Sequence, residues 1–360
     1  MPKRLRTALI ILALVLAYVV AFPRPTGTEP LLQRQWVSAI DGSPAEARGE
    51  SGLGRDDARG EIMPFRLGER FGYFSSKGDI VFSDRIRYGL AQSDEYFANY
   101  SVVSENIVLQ DPGGSLVRSI GATGYPYLLK DRFFVFGPNG STVSEWTTDG
   151  EELWRREFFS VLTDFDTGNA YSVAALLDGE VQLLDEDGST TFSHRVEGSR
   201  VDVALSVAVA GDEDAFAALL GADPQQLLLF ERHSEGFFTA FQRELDSDYR
   251  RSVLLEFLPD MGLLVVEQPY GMLMYDRDEQ AVSPVELGGP VRRGETIPEL
   301  GLVLSLSAET AHPAEGFSES SQQSENAGSG PDARRLSATI RPNKTLISKA
   351  LAGGDAFVRT

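Results

Sequence analysis

A tight-turn signal recurs through most of this chain, and each copy lies between two short runs of apolar, β-prone residues. The copies are Ser76-Lys77-Gly78-Asp79, Asp111-Pro112-Gly113-Gly114, Thr148-Asp149-Gly150-Glu151, Glu186-Asp187-Gly188-Ser189, Ser234-Glu235-Gly236 and Arg277-Asp278-Glu279, the last without a glycine. Counted from Gly78 through Gly113, Gly150, Gly188 and Gly236 to Glu279, the spacings are 35, 37, 38, 48 and 43 residues. This period predicts a chain built from repeated small antiparallel sheets.

Two consecutive segments carry the repeat in its fullest form. Residues 132–156 and residues 171–194 both read as strand, turn, strand, turn and strand, and their alignment places Gly140 on Gly179 and Gly150 on Gly188. Closing such units into a ring removes the exposed strand edges of an open stack. The sequence therefore predicts an all-β fold, a β-propeller of about seven four-stranded blades over residues 63–360, with six or eight blades left open.

The late part of the repeat region is interrupted. Strand-like residues 302–306 and 336–340 predict a seventh blade, and the Ser-, Glu-, Gly- and Gln-rich residues between them, about 312–334, predict a disordered insertion. Two later apolar segments, Leu346-Ile347 and Ala356-Phe357-Val358, are candidates for the strand that closes the ring.

The amino terminus differs in kind from the repeats. Lys3, Arg4 and Arg6 precede an apolar run over residues 8–22, whose length of roughly 22 Å as a helix is short of the ~30 Å hydrocarbon core. We expect residues 1–25 to be one hydrophobic helix, either a signal anchor or a signal peptide cleaved after Ala21. Residues 26–62 are expected to be a flexible tether, and the basic flank predicts a periplasmic domain on a single-pass inner-membrane protein.

Charge and cysteine usage exclude several classes of function. The formal net charge is −20 and the isoelectric point is about 4.6, so the long-range field repels phosphate backbones and no nucleic-acid partner is expected. The chain has no cysteine. Disulfides, thiolate metal sites and a lipoprotein anchor are therefore excluded.

No constellation of catalytic residues accompanies the repeats. His194, His233 and His312 are far apart in the chain, and neither a nucleophile elbow nor a phosphate-binding glycine loop is present. The acidic runs 185–187 and 212–214 lack the alternating ligands and closing glutamate of a calcium loop, so we interpret them as turns. Asp164-Phe165-Asp166 is interpreted as a loop between the third and fourth blades. No catalytic, cofactor or metal residue is predicted.

Aromatic doublets recur in the predicted strands, at Phe133-Phe134, Phe158-Phe159 and Phe237-Phe238. Because blades pack on both faces, these rings are expected in the core. The alternative is an exposed aromatic patch that marks a partner site.

Asp149, Gly150 and Trp154 form an element that resembles the turn-and-tryptophan motif of the pyrroloquinoline-quinone-like β-propeller repeats. The neighbouring WD40-like repeats carry Gly-His and Trp-Asp pairs, which are absent here. The resemblance implies either quinone-dependent dehydrogenases, which carry a tryptophan in nearly every blade, or non-catalytic envelope propellers that bind other proteins. This chain has three tryptophans, and Phe192 stands where the fourth blade would carry one, which favours the non-catalytic branch.

The sequence thus favours a non-enzymatic, membrane-tethered, extracytoplasmic propeller that serves as a protein-interaction platform in a bacterial cell envelope, with no cofactor. The alternative is a propeller, or degenerate enzyme, that binds a sugar, quinone or cell-wall fragment in its central funnel. Convergent carboxylates and aromatics at one mouth of the ring would favour that alternative.

Overall fold

A computed structural model describes residues 62–101, 105–258, 262–287, 289–297, 302–308, 334–340 and 344–351. Within these ranges the chain forms 27 strands in seven antiparallel sheets, so the all-β prediction is confirmed. None of the described residues belongs to a helix with the length and apolar character needed to cross a membrane. The predicted leader, nearly all of the tether and nearly all of the insertion lie outside the described residues.

The strands follow the sequence order from one sheet to the next. The first sheet contains β1 (Ile62–Leu67), β2 (Arg70–Ser75) and β3 (Ile80–Arg85). The second contains β4 (Gly89–Gln92), β5 (Phe97–Tyr100), β6 (Ile107–Gln110) and β7 (Leu116–Ile120). The third contains β8 (Tyr125–Leu129), β9 (Arg132–Phe136), β10 (Thr142–Trp146) and β11 (Glu152–Glu157). The fourth contains β12 (Leu162–Thr167), β13 (Ser172–Leu176), β14 (Glu180–Leu184) and β15 (Thr190–Arg195).

The remaining sheets follow the same plan. The fifth contains β16 (Ala204–Val209), β17 (Ala215–Leu220), β18 (Gln225–His233) and β19 (Gly236–Leu245). The sixth contains β20 (Leu255–Leu258), β21 (Leu263–Gln268), β22 (Gly271–Asp276) and β23 (Ala281–Glu286). The seventh contains β24 (Val291–Ile297), β25 (Leu302–Ala308), β26 (Arg334–Ile340) and β27 (Lys344–Leu351). Every four-stranded sheet is an antiparallel meander of consecutive strands.

The core lies between consecutive sheets. Second strands are covered on both faces, so β13 and β17 are buried at every residue and consist of small and apolar residues. Fourth strands lie at the outer edge and are mostly exposed, as β7 and β15 show. The apolar clusters join neighbouring sheets: Phe71 and Tyr73 of the first sheet pack against Phe97 of the second.

The structure corrects the interpretation of Asp164-Phe165-Asp166 as a loop. These residues lie in β12, the first strand of the fourth sheet, and pair with residues of β13. The error arose because two aspartates in a short segment are typical of turns. In β12 the carboxylates have hydrogen-bond partners in the next sheet, which offsets the low strand propensity of aspartate.

The seventh sheet forms across the long connection. Leu302 of β25 pairs with Ile340 of β26, as the two strand-like segments predicted. Leu346 and Ile347 lie in β27, the fourth strand of this sheet, whereas Ala356–Val358 lie outside the described residues. The described part of the first sheet has three strands instead of four.

Candidate functional site

The connections between strands lie at two opposite ends of the sheets, because each antiparallel neighbour reverses the chain direction. The first strands of consecutive sheets run in the same direction, since Asp164 and Asp166 of β12 accept backbone N–H groups of Val207 and Val209 of β16. One end, which we call the turn face, carries the repeated turns and comprises residues 76–79, 93–96, 111–115, 130–131, 147–151, 168–171, 185–189, 210–214, 234–235, 262 and 277–280.

The other end, which we call the linking face, carries the links from one sheet to the next and the second-to-third-strand turns of the four-stranded sheets. In the three-stranded first sheet, the first repeated turn lies between β2 and β3. The turn between β1 and β2 is therefore at the opposite end of the sheet, on the linking face. Its described residues are 68–69, 86–88, 101, 105–106, 121–124, 137–141, 158–161, 177–179, 196–203, 221–224, 246–254, 269–270, 287 and 289–290.

Contacts between neighbouring sheets align the turn face. Nη1 of Arg277 lies 2.8 Å from Oδ2 of Asp212, which joins the sixth sheet to the fifth. Nη2 of Arg118 lies 2.9 Å from Oδ1 of Asp149, which joins the second sheet to the third. The backbone N–H of Ala170 donates to Oε1 of Glu213 at 3.2 Å and joins the fourth to the fifth. The repeated turns therefore meet at one end of successive sheets.

The repeated glycines are required by backbone conformation. Gly78, Gly150 and Gly188 have φ values of 90°, 89° and 73°, and each N–H donates to the carbonyl three residues earlier. Gly236 has a φ of 124°. In the second sheet this role belongs to Gly114 (φ 81°) and not to the aligned Gly113, because the Gly114 N–H makes the equivalent bond to Asp111 O.

Aspartate side chains complete several of these turns. Oδ1 of Asp111 accepts the N–H groups of Gly113 and Ser115 at 3.0 and 2.8 Å. Oδ1 of Asp185 accepts the N–H of Ser189 at 2.8 Å, so the acidic run 185–187 forms a turn as predicted. In the sixth sheet the glycine is lost, and Gln280 adopts the left-handed conformation with a φ of 51°.

The turn face is strongly acidic. Its described residues include sixteen carboxylates against three basic residues, so most of the net charge of −20 is carried at this end. The carboxylates belong to Asp79, Asp94, Glu95, Asp111, Asp131, Asp149, Glu151, Asp185, Glu186, Asp187, Asp212, Glu213, Asp214, Glu235, Asp278 and Glu279. Lys77, Lys130 and Arg277 are the basic residues. This charge favours hydration over apolar contact.

Trp154 of the resembling motif is a packing residue. Its indole Nε1–H donates to Oε2 of Glu145 at 2.7 Å, and its ring lies against Gly188 of the next sheet, where a Cβ would come within 2.6 Å. Arg132 holds the same carboxylate in a bidentate pair and donates to Oγ1 of Thr167 at 2.6 Å. This buried network joins the third sheet to the fourth.

The histidines do not converge in the described part of the chain. His194 packs on Phe230 at a ring-centroid distance of 5.1 Å, and burial lowers the pKa of its imidazole. His233 packs on Phe238 at 5.7 Å, and His312 lies outside the described residues. Over the described ranges, no group of three or more His, Asp or Glu side chains is arranged to hold a metal ion.

Asp164 and Asp166 are the acidic groups of greatest chemical interest in the interior. Burial raises the pKa of the Asp164 carboxyl to about 6, although Oδ2 accepts the Val207 N–H at 3.0 Å. Oδ2 of Asp166 accepts the Val209 N–H at 2.7 Å and lies 3.8 Å from Nζ of Lys130. Both side chains therefore bind the backbone of the neighbouring first strand.

The linking face carries exposed apolar side chains. Tyr88, Phe159, Val161, Leu177, Val201 and Tyr270 are large, exposed and located in its connections. Within the described residues, the turn-face connections contain no exposed large apolar side chain. Leu177 donates its N–H to the Val161 carbonyl at 2.8 Å, so apolar residues of the link between the third and fourth sheets adjoin a turn of the fourth.

Phe159 is the most exposed of these side chains and is fully accessible to solvent, whereas its neighbour Phe158 is buried. The doublet Phe133-Phe134 is entirely in the core, as predicted, and Phe238 is exposed. The core interpretation is therefore confirmed for Phe133, Phe134 and Phe158, whereas Phe159 and Phe238 are exposed.

Three tyrosines form a cluster at the linking end of the second and third sheets. The ring centroids of Tyr88, Tyr100 and Tyr125 lie 6.3, 6.4 and 6.3 Å apart, a spacing typical of interacting aromatic rings. Burial raises the pKa of the Tyr100 phenol to about 12. Gly89 makes room for Tyr100, because a Cβ there would lie 2.3 Å from its ring.

Comparison with known proteins identifies the architecture. A family model described as a beta-propeller protein matches residues 2–314. This chain belongs to the beta-propeller family. The seven successive meander sheets and the adjacent first strands are the blades and the inner strands of that fold.

Two individual proteins resemble this propeller. An uncharacterized protein of Treponema pallidum (strain Nichols) is 26% identical over 294 residues, which cover 81% of this chain and 78% of the relative. The solved structure of KlHsv2 with loop 6CD replaced by a Gly-Ser linker has a TM-score of 0.51 and 11% identity, and the match covers 70% of this chain and 90% of that one. The second likeness shows the fold alone.

Sequence reasoning did not find the linking face of the propeller. Its apolar residues are separated by long stretches of chain, and each is unremarkable alone. A signal was nevertheless present, because Tyr270 lies between Pro269 and Gly271, two residue types that are typical of turns.

Proposed function

We propose that this propeller is a non-enzymatic protein-interaction platform that binds its partner through the linking face. The observation that carries the proposal is an asymmetry between the described connections: their six exposed large apolar side chains all lie on the linking face, and the turn face carries sixteen carboxylates against eight on the linking face. Exposed apolar groups gathered at one end of a molecule are typical of protein contact sites. The repeated acidic turns favour solvation of the opposite end.

The proposal extends to location and ancestry. We infer that the basic, apolar amino terminus tethers the propeller to the inner membrane of a bacterial envelope, with the blades in the periplasm. The Trp154 element, which resembles the quinone-type repeats, supports placing this propeller in their non-catalytic branch. A topology reporter tests the location: alkaline phosphatase fused after residue 62 should be active, and an active cytoplasmic reporter at the same site would contradict it.

Site-specific photo-crosslinking in the native cell tests the binding surface. A benzophenone amino acid placed at Phe159 or Tyr270 should form a discrete protein adduct. The matched positions Lys77 and Glu235 on the turn face should form little or none, since their surroundings are acidic and hydrated. Equal adduct yields at both faces, or none at either, would contradict the proposed platform.

The alternative function, binding of a small molecule in the central funnel, predicts a different arrangement of side chains. It needs free carboxylates and aromatics converging at one mouth of the ring, whereas Asp164 and Asp166 bind the backbone of β16. Saturable binding of a quinone or a sugar to the purified protein, abolished by Asp166→Asn, would favour that alternative.

A further inference from the structure

The three tyrosines at the linking end of the second and third sheets form a partly exposed aromatic surface, which we call the tyrosine cluster. Tyr88 lies in the link before β4, Tyr100 ends β5 and Tyr125 begins β8. Their ring centroids lie 6.3, 6.4 and 6.3 Å apart, and the rings are tilted against one another by 65°, 33° and 50°. Tyr88 is 54% exposed, and the other two are half-buried. Part of the ring surface is therefore open to a ligand.

Backbone contacts hold the cluster in place. The Tyr88 N–H donates to the Tyr100 carbonyl at 3.1 Å. Just before Tyr88 in the chain, the side chain of Asn99 bridges two backbone groups. Its Nδ2–H donates to the Arg85 carbonyl at 2.8 Å, and its Oδ1 accepts the Arg87 N–H at 3.0 Å. A surface fixed in this way loses little conformational entropy when a ligand binds.

The phenol groups of the cluster are not used within the described part of the protein. A buried tyrosine elsewhere shows the usual arrangement, since the Tyr73 hydroxyl donates to the carbonyls of Ser93 and Tyr96 at 2.8 and 3.0 Å. Over the described ranges, the three hydroxyls of the cluster have no such partner. Because burial raises the pKa of the Tyr100 phenol to about 12, this group keeps its proton and can donate at neutral pH. The cluster therefore offers unused O–H groups beside its rings.

A segment in the polyproline II conformation matches this combination of open rings and free hydroxyls. Its backbone carbonyls make no internal hydrogen bonds, so they can accept the phenol protons. Its pyrrolidine rings supply apolar surface, and its conformation is largely formed before binding, as in other aromatic surfaces that recognise proline-rich peptides. In a helix or a paired strand the backbone groups are already hydrogen-bonded, so either would leave the phenols without partners.

Charge and chain direction indicate the source of this segment. A proline-rich segment needs no charge to bind here, so the field of a chain with a net charge of −20 does not repel it. The turn between β1 and β2 lies on the linking face, so Ile62, at the start of β1, lies at the turn-face end. The residues that precede Ile62 therefore join the sheets at the end opposite the cluster. A partner protein is the source that fits.

We propose that the tyrosine cluster binds a proline-rich segment of a partner protein in the polyproline II conformation, with pyrrolidine rings against the tyrosine rings and carbonyls on the phenol hydroxyls. The inference rests on the proposed function and names the chemistry of one partner segment at the linking face. It predicts that the affinity is independent of salt, because no pair of opposite charges forms.

Fluorescence anisotropy with the full-length protein tests this inference. The probe is a labelled peptide of ten prolines, and the reference peptide has the same length and label but consists of glycine and serine. The proline peptide should bind about tenfold more tightly, at low and at high salt alike. Equal affinity of the two peptides, an affinity that falls steeply with salt, or tighter binding of the neutral oligosaccharide maltohexaose would overturn the proposal.

Substitutions at Tyr88 distinguish the contribution of the ring from that of its hydroxyl. Tyr88→Ala should weaken binding of the proline peptide about tenfold, and Tyr88→Phe, which keeps the ring, should weaken it about threefold. Phe238→Ala is the matched control and should bind as the wild type does, because Phe238 is 49% exposed but lies on β19 of the fifth sheet. Wild-type affinity in Tyr88→Ala would also overturn the inference. Because Tyr88 is exposed, its variants should melt close to the wild-type temperature.

A further variant tests the source of the segment. Pro23→Ala/Pro25→Ala/Pro30→Ala removes prolines that precede β1 and should leave the affinity for the proline peptide unchanged. An affinity increased by about fivefold or more would show that the chain's own prolines compete for the cluster, and would overturn the assignment to a partner. The photo-crosslinks at Phe159 and Tyr270 do not use the tyrosine cluster, so they can succeed when the proline peptide fails to bind.

Discussion

The indole of Trp154 donates its Nε1–H to Glu145 at 2.7 Å while its ring covers Gly188 of the neighbouring blade. Glu145 is almost completely buried, and both of its carboxylate oxygens also accept hydrogen bonds from the guanidinium of Arg132. One side chain thus satisfies a buried carboxylate and closes the contact between two blades. The motif that resembles quinone-type repeats acts here as a structural joint.

Truncation of Trp154 should be among the most destabilising single changes in the third blade. We expect Trp154→Ala to lower the free energy of unfolding by about 3–5 kcal/mol, because a large buried ring is lost. Trp154→Phe should cost about 1–2 kcal/mol, since it keeps a ring and removes the hydrogen bond to Glu145. Urea unfolding measures both. Leu153→Ala is the control, because Leu153 is exposed; an equal loss in that variant would contradict the assignment.

Alanine substitutions at two glycines with positive φ values distinguish the loss of stability caused by backbone strain from the loss caused by a steric clash. Gly68 (φ 58°) has no neighbour within 4 Å of a built Cβ, whereas at Gly188 (φ 73°) the Trp154 ring lies within 2.6 Å. Gly68→Ala should cost about 1–2 kcal/mol from strain alone. Gly188→Ala should cost clearly more in the same thermal-unfolding assay. Equal losses would show that the Trp154 ring moves away freely.

Asp164 should make stability fall as pH rises. Burial raises the pKa of its carboxyl from the ordinary 3.8 to about 6, so between those values the folded state holds a proton that the unfolded state has released. Its destabilising effect is absent below pH 3.8, grows up to about pH 6 and is constant above. At about 1.4 kcal/mol per pKa unit, the effect reaches about 3 kcal/mol.

The variant Asp164→Asn isolates that effect from other carboxyl groups. Its stability relative to the wild type should increase between about pH 4 and pH 6 and then stay level, because asparagine is neutral and its amide oxygen can still accept the Val207 N–H. Urea unfolding across this pH range gives the difference. A difference that does not change with pH would contradict the raised pKa.

Arg132 and Glu145 should be strongly coupled. Arg132→Met or Glu145→Gln alone should each cost about 3–5 kcal/mol, because each leaves a buried polar group without its partner. The double variant should lose at least about 1 kcal/mol less than the two single losses added together. The matched pair on the surface, Arg118 and Asp149, should couple by less than about 1 kcal/mol. Additive losses at the buried pair would contradict this account.

The repeat predicted most of the strands because its turns depend on local chemistry. Gly78, Gly150 and Gly188 need a positive φ, and that need is visible in the sequence as a glycine at each turn. The same reasoning selected Gly113 in place of Gly114, since adjacent glycines offer no local means to decide which one adopts that conformation. It also misplaced Asp164 and Asp166, whose hydrogen-bond partners lie about forty residues away.

The sequence by itself determined the turn period, the all-β class and the acidic charge, because each depends on neighbouring residues or on composition. Only the tertiary structure decided which end of the blades is acidic and which is apolar. It also brought Tyr88, Tyr100 and Tyr125 of two neighbouring sheets into one cluster. The physical reason is that antiparallel strands direct alternate connections to opposite ends, so residues far apart in the chain share a surface that no local pattern records.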